Sequence, residues 1–108
     1  MKRGCRCAII LFFRGIHLLP IMITYLLLGS NIGDSQLQLQ YANSLIEFRC
    51  GRILNKSSIY RTEPWGMKDQ NDFLNQCLAL ETKLSPKDLL GALKQIEQEM
   101  GRTSSTHW

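Results

Sequence analysis

The 108-residue sequence has no Gly-x-Gly-x-x-Gly dinucleotide motif and no glycine-rich loop ending in Gly-Lys-Ser/Thr. Its only histidines, His17 and His107, lie outside the coherent elements or at the chain's end, so no Ser/His/Asp or Cys/His nucleophile set takes shape. Cysteine is scarce and poorly spaced for metal. Cys5-x-Cys7 lacks the two-to-four-residue gap of a zinc knuckle, and Cys50 and Cys77 stand alone. Cys50 and Cys77 read as small buried hydrophobes. Repeats and low-complexity segments are absent. Acid is missing from residues 1–22, where Lys2, Arg3, Arg6 and Arg14 account for the whole formal charge of +4. Residues 23–108 hold nine basic and nine acidic side chains, which argues against a polyanion partner such as nucleic acid.

Residues 1–22 imitate a secretion signal with a basic start and the apolar run Ala8–Phe13, but Arg14 and His17 interrupt it and no small-x-small site follows. As a membrane span, residues 8–28 would put Arg14 in the bilayer at a cost of roughly 2.5–3.5 kcal/mol near its centre. The sequence is therefore expected to divide into an N-terminal extension, 1–22, disordered or non-native, and one domain from residue 23. An apolar fraction of 44% and a charged fraction of 20% suit an ordinary globular core.

"ITYLLL" (23–28) reads as a central strand buried on both faces. A helix is expected from Asp34 to Cys50, with Asp34 as cap, the stripe Leu37, Tyr41, Leu45 and Phe48, and Gly51 to end it. Residues 53–60 and 73–82 read as strands, the latter with Leu74, Leu78 and Leu80 on one face and Phe73, Asn75, Cys77 and Ala79 on the other. Ser85-Pro86 starts a second helix with the stripe Leu89, Leu93, Ile96 and Met100, closed by Gly101. The order strand–helix–strand–strand–helix is α+β and fits a split βαβ, ferredoxin-like plan, whose last strand would follow the second helix. The sequence stops at Trp108 before such a strand.

The loop after the second strand is unusual for a connector. Thr62 and Trp65 flank Pro64, Gly66 permits a turn, and Phe73 and Asn75 open the next strand on one face. An aromatic and an amide two residues apart suit a flat heterocycle, one by stacking and one by bonding its edge. The same residues also suit a Trp covering a core edge and an Asn satisfying backbone groups. "GSNIGD" is a turn with a helix cap. Gln95 and Glu97 read as a solvated helix face, and Arg102 as a partner for the last carbonyls or for a phosphate.

Four pieces in order, "LGSNIGD", "SSIYRTEPWG", "DQNDFLNQCLALET" and "IEQEMGR…HW", resemble the 6-hydroxymethyl-7,8-dihydropterin pyrophosphokinases from about Ile23 to Trp108. The resemblance implies a ferredoxin-like enzyme of folate biosynthesis that passes diphosphate from ATP to the pterin's hydroxymethyl group and releases AMP. It implies pterin contacts from Thr62, Glu63, Pro64, Trp65, Phe73 and Asn75. ATP contacts fall to Gln95, Glu97, Arg102 and Trp108, with Mg2+ held by two aspartates expected beyond Trp108, so that no catalytic or metal residue is identifiable within the chain. Ser104 replaces the family's second arginine, which weakens the expected nucleotide site. Without that aspartate pair, the exact chain is expected to transfer at near-background rate. The implied partners are pterin and ATP, without nucleic acid or membrane, in a cytoplasmic enzyme that is monomeric when complete. The alternatives are a non-catalytic ferredoxin-like module for a small ligand or partner, and a small membrane-anchored protein using residues 1–28.

Overall fold

A computed structural model describes residues 7–12, 17–18, 21–31, 33–63 and 72–104, with side chains for 21–31, 33–63 and 72–101. The elements are β1 (Cys7–Phe12), β2 (His17–Leu18), β3 (Ile21–Ser30), α1 (Ser35–Arg49), β4 (Arg52–Lys56), β5 (Tyr60–Thr62), β6 (Phe73–Thr82) and α2 (Pro86–Ser104). They form one antiparallel sheet in the order β1–β3–β6–β4, with β2 also on β3 and β5 also on β6. β1 and β2 occupy successive lengths of one edge of β3, and β4 and β5 successive lengths of one edge of β6. The sheet thus has four lanes, and both helices lie on one face. This is the α+β, ferredoxin-like architecture the element order suggested.

The helix side of the sheet is the core. Met22, Leu26 and Leu28 of β3 and Leu78 and Leu80 of β6 meet Leu39, Ala42 and Ile46 of α1 and Leu89, Leu93, Ile96 and Met100 of α2. The strand alternation delivers these residues to one side. β6 runs from Phe73 to Thr82, as its period of two indicated. α2 buries the expected stripe and begins with the Ser85 hydroxyl accepting from the Asp88 amide at 3.1 Å. The helix runs on through Gly101 to Ser104, because a glycine inside a packed helix weakens it without ending it.

Several expectations change. α1 buries Leu39, Ala42, Asn43 and Ile46, whereas Leu37, Tyr41 and Phe48 are exposed, and Leu45 packs partly against the core. Both stripes have helical spacing, so periodicity alone cannot set the phase of this helix. Asp34 does cap it, its Oδ1 accepting from the Leu37 amide at 3.1 Å. β3 is buried on one face only, with Tyr25 half exposed on the other. Cys50 is buried as expected, but Cys77 is exposed on that same uncovered side.

The strand expected over 53–60 breaks at 57–59, after a register irregularity between Ile53 and Asn55. Ser57 bridges the break: its amide donates to the Cys77 carbonyl at 2.8 Å, and its hydroxyl accepts from the Cys77 amide at 2.9 Å. Gly51 is required for chain approach at the far end, since a Cβ there would overlap the Glu81 carbonyl oxygen. Within the segment expected to lack order, residues 7–12 and 17–18 are strands on β3. The sheet's backbone offers β3 a second edge, and the apolar residues 8–12 supply a partner for it.

Candidate functional site

Register assembles the site at the end of the sheet where β3 finishes. Gly29 of β3 pairs with Asn75 of β6, and Thr62 of β5 pairs with Phe73 of β6. Alternation turns Phe73 and Asn75 toward the face without helices. The space above Gly29 is tight: a Cβ there would stand 3.1 Å from the Asn75 Oδ1 and 3.8 Å from the Phe73 ring. Glycine at 29 therefore lets an amide and an aromatic edge settle over the backbone.

The Asn75 amide is held in one orientation. Its Nδ2 donates to the Thr62 Oγ1 at 2.9 Å and to the Tyr60 carbonyl at 3.3 Å. Both amide hydrogens are engaged within the protein, so the group offers its Oδ1 as an acceptor. The sequence suggested an amide free to donate and accept. The lock comes from β5, fifteen and thirteen residues back along the chain, which local pattern does not reveal. On the same face the Tyr60 phenol is pushed above its ordinary pKa, chiefly by desolvation and then by its hydrogen bond to Cys77.

Residues of opposite parity face the helix side. Arg61 and Leu74, with Asp72, line a depression of about 360 Å3 beside the start of α1, together with Gly33, Asp34, Ser35 and Gln36. Arg61 approaches Asp72 at 3.9 Å across the base of the loop that joins β5 to β6. Ser30 and Asn31, next to this turn, are fully buried polar residues. Their sequence signal is polarity directly after an apolar strand, which by itself reads as a turn.

The expected residues fall into separate places. Thr62, Phe73 and Asn75 come together, with Glu63 exposed beside them. Pro64, Trp65 and Trp108 lie outside the described residues, and Arg102 falls within α2 with its side chain outside them. Gln95 and Glu97 border a shallow depression on α2 with Gly91, Lys94 and Gln98. A cavity of about 820 Å3 lies away from Phe73 and Asn75, between α1 and β4, over Asn43 and Gln76. There the Asn43 Nδ2 donates to the Leu39 carbonyl at 2.7 Å and to the Gln76 Oε1 at 3.1 Å, and the Gln76 Nε2 donates to the Ser57 carbonyl at 3.1 Å. This buried amide pair ties the helix to the strand break.

Known proteins share this framework. The family pattern for 7,8-dihydro-6-hydroxymethylpterin-pyrophosphokinase matches residues 25–108. A 2-amino-4-hydroxy-6-hydroxymethyldihydropteridine pyrophosphokinase from Porphyromonas gingivalis is 44% identical over 85 residues, covering 79% of this chain and 58% of that protein. One from Bacillus subtilis is 44% identical over 87 residues, covering 80% of this chain and 52% of that protein. The mitochondrial folate synthesis bifunctional protein of Pisum sativum is 41% identical over 81 residues, covering 75% of this chain and 16% of that protein. The matches thus span little more than half the length of the two bacterial relatives. With the strand order, Gly29 beneath Asn75 and this agreement over most of its length, the chain belongs to the 7,8-dihydro-6-hydroxymethylpterin-pyrophosphokinase family.

Proposed function

We propose that this chain carries the pterin-recognising part of an enzyme that transfers diphosphate from ATP to 6-hydroxymethyl-7,8-dihydropterin. In that reaction the pterin's hydroxymethyl oxygen attacks the β-phosphorus of ATP. The new C–O–P linkage forms as the bond to AMP breaks, and the hydroxyl proton leaves. Such transfers depend on alignment more than on a protein nucleophile.

The observation that carries the reading is the oriented Asn75 amide, donors occupied by Thr62 and Tyr60 and Oδ1 free to accept, beside Phe73. A pterin edge rich in N–H groups matches an acceptor, and its flat ring matches an aromatic neighbour. Thr62 positions the amide, and Glu63, Pro64 and Trp65 would close the same pocket from the loop. The proposed ATP contacts are Gln95, Glu97, Arg102 and Trp108, toward the C-terminal half of α2 and just after it. Magnesium would accompany ATP. Among the described residues no three His, Cys, Asp or Glu side chains come together, and no step is assigned to the ion. The reading also carries a cytoplasmic enzyme that is monomeric when complete. Among the described residues no helix is long and apolar enough to cross a membrane.

The test is calorimetric titration of 6-hydroxymethyl-7,8-dihydropterin into the chain with a non-hydrolysable ATP analogue present. Parent protein should bind saturably, and Asn75→Ala should weaken binding at least about tenfold, the loss of an oriented acceptor. Phe73→Ala should do likewise. If both variants bind the pterin as the parent does, with unchanged circular dichroism, the reading fails.

A further inference from the structure

β3 is flanked by β6 on one edge and by β1 on the other. Along the second edge Cys7 lies opposite Ser30 and Phe12 opposite Tyr25, six consecutive pairs in one register. β1 therefore enters beside the site end of β3 and runs away from it.

The rest of the topology reserves this lane for another strand. β6 descends from Phe73, near Ser30, to Thr82, opposite Met22. α2 starts a few residues later at that far end and packs against β1, which lies alongside Tyr25–Ser30. Hence α2 travels back toward the site end. A strand that followed α2 would meet β3 at Ser30 and run antiparallel to it, parallel to β6, completing the split βαβ order. β1 has that lane, that starting end and that direction.

We infer that Cys7–Phe12 is a resident strand mimic, holding the edge of β3 against the strand that the fold assigns after α2. The two occupants exclude each other, because an antiparallel edge has one row of backbone donors and acceptors to give. The edge selects an extended apolar strand running away from Ser30, and β1 sets the threshold such a strand must exceed. This rests on the fold and not on the pterin reading. The same edge borders Gly29 and Ser30, so the occupant of the lane adjoins the Asn75 site.

Hydrogen exchange on the full chain tests the inference first. The alternate amides of residues 7–12 that face β3 should exchange on the order of 100-fold more slowly than those of a free peptide of residues 2–14, as hydrogen-bonded strand amides do. Exchange within about threefold of the free peptide, with Ile21–Ser30 still protected, overturns the assignment. The second test is competition. Ile10→Pro removes a backbone donor and disfavours the strand. A fluorescent peptide of residues 2–14 should bind this variant at least about tenfold more tightly than the parent, whose edge is occupied. A folded variant that takes up no more peptide than the parent overturns exclusion at this edge. Pterin titration of both proteins separates this result from a failure of the Asn75 reading.

Discussion

The two faces of the sheet obey different physical demands. The helix-covered face buries Leu26, Leu28, Leu78 and Leu80 against two apolar stripes, and nearly every residue there excludes water. The face without helices carries Tyr25, Cys77, Phe73 and the locked Asn75 amide, with Gly29 left bare beneath it. One face supplies stability through area removed from water. The other holds polar groups in fixed directions, which costs stability unless they are bonded. Substitutions should separate these roles.

The largest effect is expected on the covered face. Ile96→Ala should cost about 2–5 kcal/mol, seen as a lowered urea midpoint, with pterin affinity of the folded fraction unchanged. On the open face Gly29→Ala should show the converse. Its new Cβ, 3.1 Å from the Asn75 Oδ1, must displace an amide fixed by two hydrogen bonds. Pterin affinity should fall about tenfold while the unfolding free energy from urea titration changes by less than about 1 kcal/mol. Equal losses in both measurements would show that the faces are not separable.

A smaller contrast concerns the two thiols. Burial pushes the Cys50 thiol above its ordinary pKa, with the Arg49 charge opposing, while Cys77 is exposed. The folded state thus keeps the Cys50 proton longer than the unfolded chain does. The contribution is intact below the unfolded thiol's pKa of about 8.5 and is lost as pH rises from there toward the folded value. Stability should decline in that alkaline window, and Cys50→Ala should flatten the decline. Tyr60 adds a similar loss beginning higher, near about pH 10. Iodoacetamide at neutral pH should label Cys77 well before Cys50. The smallest effect belongs to the ion pair joining the helices, where the Arg49 guanidinium meets both Glu99 oxygens at 2.7 and 2.9 Å. Solvent screens this pair, so Arg49→Ala should lower Tm only slightly and less so in high salt.

The contrast between the helices shows where sequence was legible. α2 has one continuous apolar stripe, and Leu89, Leu93, Ile96 and Met100 are all buried as their spacing required. α1 offers two stripes, and the buried one includes Asn43, which no hydrophobic pattern would select. Asn43 is tolerated because its amide finds Leu39 and Gln76, a partner 33 residues away. Likewise, the Phe73/Asn75 pair stood out locally, yet the direction of the Asn75 amide depends on Tyr60 and Thr62 in another strand.

The sequence by itself determined the alternation of strands and helices from β3 onward, the caps at Asp34 and Ser85, the bounds of β6, the stripe of α2 and the family. These depend on neighbours within a few residues, where side-chain period and capping chemistry act. Tertiary structure decided which face of α1 is buried, that β3 is covered on one side, that β4 and β5 divide at Ser57, and that β1 lies on β3. It also decided that Asn75 accepts over Gly29. Each depends on hydrogen bonds and packing between residues distant in the chain, which acquire an energy only when the sheet brings them together.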